Sequence, residues 1–347
     1  MVSRCCNSSA ARDPVKTCPA VTKAGHVVLS EGDDMLQYAF QRVLLALAII
    51  FVAISALYTI MITLPGDPTT ILLGPRATPE LRAAFRANMG LDDPVLVQIV
   101  NFWGRILGGD MGTDYNRNRP VAEAVFNALP HTMALVFCAI FWSAALGIML
   151  GAFSADNRNS WLDRISGILS VGFIAAPSFV VALYSLLLFG VILRWFPTIG
   201  AGESGDLGSR LFHLALPSFA IGLAWVGYIA RIVRAAMLET LGENYIRTAR
   251  AFGLPRRMVI YQYALRVAIL PAVQVLGVGI GGMLSSAVFA EIVFSRPGIG
   301  SLIYESVSGR NYPVVMGAML VAIGFFVTCA LIADLVNAAL DPRQRVT

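Results

Sequence analysis

Seven arginines, Arg231, Arg234, Arg247, Arg250, Arg256, Arg257 and Arg266, fall in one stretch that holds only two acids, Glu239 and Glu243. The chemistry open to such a cluster is recognition of anions, whether carboxylates on another protein or phosphates of lipid or nucleic acid. Covalent chemistry has little to work with. No catalytic triad, metal cluster or carboxylate pair of catalytic spacing stands out, and His26, His131 and His213 are dispersed. Lys16 and Lys23 are the only lysines, and neither follows the Gly-rich turn of a phosphate-gripping loop. Work that needs ATP would therefore draw on a nucleotide bound by another chain. Cys5, Cys6 and Cys18 lie near the N-terminus and Cys138 and Cys329 inside apolar segments, a spacing that suggests neither a zinc site nor a disulfide framework.

The elements that must position these arginines are membrane helices. The chain has 347 residues, 57% of them hydrophobic and 14% charged, with mean hydropathy +0.70. Hydrocarbon about 30 Å thick takes roughly 20 apolar residues to cross. About six runs qualify by that length: Val43 to Thr63, His131 to Phe153, Ile165 to Leu193, Leu211 to Ile229, Val267 to Phe294 and Pro313 to Leu340. The expected class is all-α and polytopic. The arginine-rich connection lies between the fourth and fifth runs, and the positive-inside tendency makes it cytoplasmic. Both termini then fall inside too, in agreement with Arg158 and Arg164 between the second and third runs and Arg343 and Arg345 near the end.

Residues 1–34 are polar, lack an apolar run of signal-peptide length and read as a loose cytoplasmic tail. Met35 opens the first membrane helix, 35–63, and reads as a natural translation start, which intact-mass measurement checks. The connection 64–130 balances six arginines with seven acids, and segments that long cross the membrane with little regard to charge. It is expected to form an external cap over the outer mouth. Within it "TPELRAAFRANMG" has helical spacing, with Thr78 as N-cap, Pro79 at the first helical position and Gly90 as stop. The remaining residues, 131–345, form the membrane core.

The centre of the basic connection, "ENYIRTARAFGLP", encodes a short helix and a sharp turn. Tyr245, Ala249 and Phe252 fall on one face with Ile246 beside them, and Arg247 and Arg250 on the other side. Asn244 can cap the start, Gly253 can take the left-handed conformation at the stop, and Pro255 can open a second helix. The pattern admits a solvated basic connection against lipid head groups, a DNA-binding helix-turn-helix, or a docking element for another protein. Against the DNA reading, the would-be recognition helix "RMVIYQYAL" is mostly apolar beyond Arg257 and runs into the next span.

"RTARAFG" matches the Glu-Ala-Ala pattern of ABC-importer permeases in its small residues and in Gly253, with Arg247 in the Glu place, Thr248 in that of the first Ala, and Arg266 where proline is usual. Over nearly all of Met35 to Arg345 the chain resembles the inner-membrane permeases of the dipeptide, oligopeptide and nickel ABC-importer family. The motifs that carry this are "LPGDP", "LLGPRATPE", "GDMGTD", "RPV", "GENYIRTARAFGL", "ALRVAILP", "EIVFSRPGIG", "YPVV" and "DPR", in that order. In that subfamily the Arg and Thr departures look normal. The resemblance implies a six-helix permease in a bacterial inner membrane, paired with a second homologous permease and resting on two cytoplasmic ATPases. An extracytoplasmic solute-binding protein would deliver a peptide, with nickel or glutathione as alternatives within the family. Asn244, Tyr245, Arg247, Thr248, Ala249, Arg250, Ala251, Phe252, Gly253 and Leu254 would form the coupling helix, seated in an ATPase groove: small residues for close approach, Phe252 or Tyr245 for an apolar pocket, Arg247 with Arg250 for acids on the rim. An ion-coupled secondary carrier is the rival of another mechanism; it favours mid-span charges or inverted broken-helix repeats, and few such charges are present.

For the pathway, the fifth run offers "GVGIGGMLSSAVFAE". Gly277, Gly279, Gly281 and Gly282 suit close helix packing, and Ser285 and Ser286 could equally line a route for peptides. Glu291 near the outer end is either part of that route or an anchor for the turn "SRPGIG". Pro177 and Pro217 are expected to kink the third and fourth runs.

Overall fold

The computed structural model describes residues 24–63, 78–81, 83, 86, 93–203 and 205–340. Helix α1 runs over Ala24–Thr63 and α2 (Val95–Leu107) packs against it. A two-stranded antiparallel hairpin, β1 (Thr113–Asp114) and β2 (Arg119–Pro120), pairs Thr113 with Pro120 and leads into α3 (Val121–Asp156). Then come α4 (Trp161–Ala175), α5 (Ser178–Ser185, continued by a π-helical stretch Leu186–Ile192) and α6 (Leu207–Thr240). The inner connection holds α7 (Asn244–Ala251) and α8 (Arg256–Met258). A π-helical stretch Val259–Ala264 and the short α9 (Leu265–Ala268) lead into α10 (Leu270–Val293), followed by α11 (Ile299–Ser308) and α12 (Tyr312–Leu340).

Among the described residues five helices are long and apolar enough to span a membrane, or six spans if the bent pair α4 and α5 counts as one. The third run is therefore broken rather than kinked: α4 and α5 meet at 99°. Pro177 sits at the break, where its missing N–H and fixed φ end the first helix and start the second. Pro217, by contrast, is buried inside the continuous α6. The fifth span runs from Arg256 to Gly277, earlier than the expected Val267 to Phe294, and Gly279–Val293 is a shorter apolar helix beyond it. Two other boundaries also move. Helix α1 starts at Ala24, inside the expected tail 1–34, although its apolar span is Ala39–Thr63, close to the expected 35–63, and α3 starts at Val121 and passes through Pro130, before the expected residue 131.

Helix α6 is the centre of the bundle, packed along α3, α4, α5 and α10. Small residues bring it close to its neighbours. A Cβ at Gly151 of α3 would meet the Ala230 carbonyl of α6 at 2.6 Å, and one on Gly227 of α6 would strike the Ser170 carbonyl of α4. Part of the expected external cap packs sideways instead: Phe102 and Trp103 of α2 stack near Tyr58 and Phe51 of α1, and the Trp103 indole donates to Ser55 Oγ at 3.1 Å. The Leu81 amide donates to Thr78 Oγ1 at 3.3 Å, as an N-cap there requires, and Gly90 lies outside the described residues.

Candidate coupling site and transport pathway

Helix α7 is built from one buried face and one free face. Ile246 is fully buried and Ala249 nearly so, both in a core with Ile229, Val233, Met237, Val259, Ile260 and Ala264. The apolar anchor is thus Ile246 with Ala249, while Tyr245 and Phe252, which spacing places on the face of Ala249, are left exposed. Tyr245 is 42% and Phe252 82% exposed, beside exposed Asn244, Arg247, Thr248 and Ala251. An exposed aromatic on this eight-residue helix and a second at its C-cap are costly to leave in water and suit a partner surface. Burial first and the Glu243 carboxylate second push the Tyr245 phenol above its ordinary value, so it stays a neutral donor.

The helix ends as its sequence requires and starts differently. Gly253 has φ +75, its amide donates to the Arg250 carbonyl at 2.9 Å, and the Leu254 amide to that of Ala249 at 3.3 Å. Pro255 then stands at the N-cap of α8. Asn244 does not cap: Glu243 holds the N-cap position without a side-chain hydrogen bond, and the Asn244 carbonyl accepts from Thr248 Oγ1 at 3.1 Å. Arg247 and Arg250 also part company. Arg250 lines a cavity of about 580 Å³ with Asp156, Arg158, Arg256, Leu238, Leu241 and Leu254, between α7 and the α3–α4 turn.

That turn carries residues that spacing alone did not reveal. Asp163, 7% exposed, receives a bidentate pair from Arg234, Nε to Oδ1 at 2.7 Å and Nη2 to Oδ2 at 2.8 Å. Ser154 Oγ donates to Oδ1 at 2.5 Å and the Asn159 amide to Oδ2 at 3.0 Å. At the other end of the turn Arg256 Nη2 donates to the Asp156 carbonyl at 2.7 Å and lies 2.6 Å from its Oδ1. Asp163 and Arg234 are 71 residues apart, too far for any helical pattern to pair them.

On α10 the glycines serve packing. Added Cβ atoms on Gly277 and Gly281 would strike Ala333 and Phe326 of α12, and those on Gly279 and Gly282 would approach Trp225 of α6 at 2.6 and 3.1 Å. Ser285 is exposed, its hydroxyl donating to the Gly281 carbonyl at 3.2 Å, and Ser286 is half-buried. Glu291 does not join them on that face. It is fully buried and accepts from Thr132 Oγ1 at 2.5 Å and from the amides of Gly300 and Ser301 at 2.8 and 3.2 Å. Its carboxyl closes the first turn of α11, and Thr132 Oγ1 in turn accepts from the Ile299 amide at 2.8 Å. Three donors thus converge on the Glu291 carboxyl and tie it to the turn before α11.

Residues 147–346 match the family described as binding-protein-dependent transport system inner membrane component, and residues 35–136 match the N-terminal domain of such components. The chain belongs to that family. This inner membrane component is 32% identical over 330 residues to a dipeptide transport system permease of Alkalihalophilus pseudofirmus, 89% of this chain and 99% of that one. It is 33% identical over 311 residues to a glutathione transport system permease of Salmonella typhi, with 90% and 99% covered. The inward-facing methionine ABC transporter MetNI matches with TM-score 0.54 and 17% identity, over 63% of this chain and 97% of that one, which shows the shared permease fold. As a family member the permease is a multi-pass inner-membrane protein that works with ATPase and binding-protein partners. The DNA-binding alternative also meets a structural obstacle, since α8 has three residues and Val259, Ile260 and Ala264 after it are buried.

Proposed function

We propose that this permease imports di- or oligopeptides delivered by an extracytoplasmic solute-binding protein, paired with a second homologous permease and driven by two ATPases through Asn244 to Leu254. The observation that carries the coupling role is α7 itself: bolted to the bundle by Ile246 and Ala249, it offers Tyr245, Arg247 and Phe252 outward. A rigid seat with a free aromatic and cationic face passes a push to the spans, whereas a loose basic loop does not. Both termini lie on the cytoplasmic side, with the arginine-rich connection. The chain holds no nucleotide or metal cofactor and has no hydrolytic activity of its own; ATP and magnesium belong to the ATPases. Its other contacts are membrane lipid and the peptide, not nucleic acid. Ser285 and Ser286 border the pathway, and Glu291 supports it from behind by holding the outer turn.

The likeness to a dipeptide permease supports a peptide cargo, and the similar likeness to a glutathione permease keeps that γ-linked tripeptide as the second reading. Uptake by the complete complex in proteoliposomes, challenged with dipeptides, longer peptides, glutathione and nickel, separates them. Competition by ordinary peptides is expected, and competition by glutathione or nickel alone would overturn the peptide assignment.

A further inference from the structure

The turn between α3 and α4 is gripped from both flanks of α7. Upstream, Arg234 of α6 holds Asp163; downstream, Arg256 at the start of α8 holds Asp156. Arg234 lies six residues before Thr240, about 9 Å along the helix at about 1.5 Å per residue. The upstream grip is the stiffer one. It is bidentate, it buries the carboxylate, and it fills the acceptor positions of Asp163 with Ser154 and the Asn159 amide as well. Bidentate guanidinium–carboxylate geometry fixes orientation as well as distance.

Farther up the same helix, α4 is held to α6 a second time. Ser166 and Ser170 are buried, and the Ser170 carbonyl sits where a side chain on Gly227 would be. Two attachments along one helix leave no hinge between α4 and α6. Beyond them α4 ends at Ala175, and the chain bends by 99° at Pro177 into α5.

We propose that Asp163 and Arg234 are positioning residues for transport, which join α4 to α6 and α7 as one body so that a displacement of α7 reaches the bend at Pro177. This rests on the docking of α7 proposed above. Asp163 and Arg234 touch neither substrate nor nucleotide; they decide whether the push arriving at α7 moves α4 or is lost in slippage along the α4–α6 seam. Asp156 and Arg256 add a more exposed, weaker tie at the other end of the turn, so its loss is expected to matter less.

The test uses the complete complex with its binding protein in proteoliposomes, reading peptide transported per ATP hydrolysed. Asp163→Asn and Arg234→Gln are each expected to lower that ratio about tenfold, within the range produced by substitutions inside coupled networks, with assembled complex still recovered. A double variant, Asp163→Cys with Arg234→Cys, is expected to be equally uncoupled until the two thiols are joined by a short bis-maleimide, which should restore most of the ratio. Assembled complex is measured alongside, and a recovery of the ratio at constant assembly separates positioning from a merely structural role. An unchanged ratio in the single variants, a loss that only tracks loss of assembled complex, or no recovery on cross-linking would each overturn the inference. Gly253→Val serves as the parallel control: if it loses coupling while Asp163→Asn keeps it, only this inference falls, and if both keep it, the docking of α7 falls as well.

Discussion

Replacing Gly253 with valine is expected to cut substrate-stimulated ATP hydrolysis about tenfold while the permease still inserts and assembles. Gly253 has φ +75, a region that costs an L-residue about 1–2 kcal/mol and a β-branched one more. Nothing lies within 4 Å of an added Cβ there, so the whole effect is backbone strain and not a clash. The strain is relieved by rotating the turn, which pulls the Leu254 amide from Ala249 and tilts α7 off its seat on Ile246. A cost of 1–2 kcal/mol corresponds to a factor of about 5–30 in the population of the seated helix. Gly253→Asn sharpens the test, because asparagine tolerates the left-handed region and is expected to keep most of the activity. Equal loss in both variants would show that something other than φ at this position matters.

The second large effect is expected at Glu291, and it should appear in stability before transport. Glu291→Ala leaves the Gly300 and Ser301 amides and the Thr132 hydroxyl without their buried acceptor. Each such orphan costs about 1–3 kcal/mol, so several kcal/mol are at stake in the packing of α11 on α3 and α10. The side chain is fully buried, so the orphaned donors are not open to bulk solvent. The expected result is a markedly lower thermal midpoint and poor recovery of the detergent-solubilised permease. Glu291→Gln keeps the shape and one acceptor oxygen but brings an NH2 group toward amide donors, and is expected to fall between the two. A Glu291→Ala protein of normal stability that fails only in transport would return this residue to the pathway.

These two positions also show what the sequence could and could not reveal. Gly253 was legible because the signal is local: an apolar–basic helical stretch, a glycine at its stop and a proline two residues later determine the turn with no help from elsewhere. Most of the membrane-crossing segments were legible for the same reason, since apolar length is a property of a continuous run, and among the described residues five helices qualify, or six spans with the bent pair. Where the outcome depended on distant partners the sequence was silent or pointed elsewhere. Glu291 looked like a pathway charge because Thr132, which donates to it, lies 159 residues away. Tyr245 and Phe252 share a helical face with Ala249, yet only contact with α6 and the stretch after α8 decides that Ile246 is the side buried. Asn244 is a good capping residue by type, but Glu243 already has the extended backbone of a cap, φ −68 and ψ 151, so Asn244 falls inside the helix. Pro177 and Pro217 share the local sequence Pro-Ser-Phe, and their different fates follow from packing: α6 is enclosed by neighbours on several sides, whereas α4 and α5 diverge at Pro177.

The outward face of α7 is proposed above to seat on an ATPase. The most direct measurement places a photo-cross-linking side chain at Phe252 in the assembled complex and identifies the adducts. The residue is 82% exposed and its replacement disturbs no core contact. The expected result is a covalent adduct with the ATPase subunit, lost when Gly253→Val is added. Adducts with lipid alone, in a complex that still transports, would contradict it.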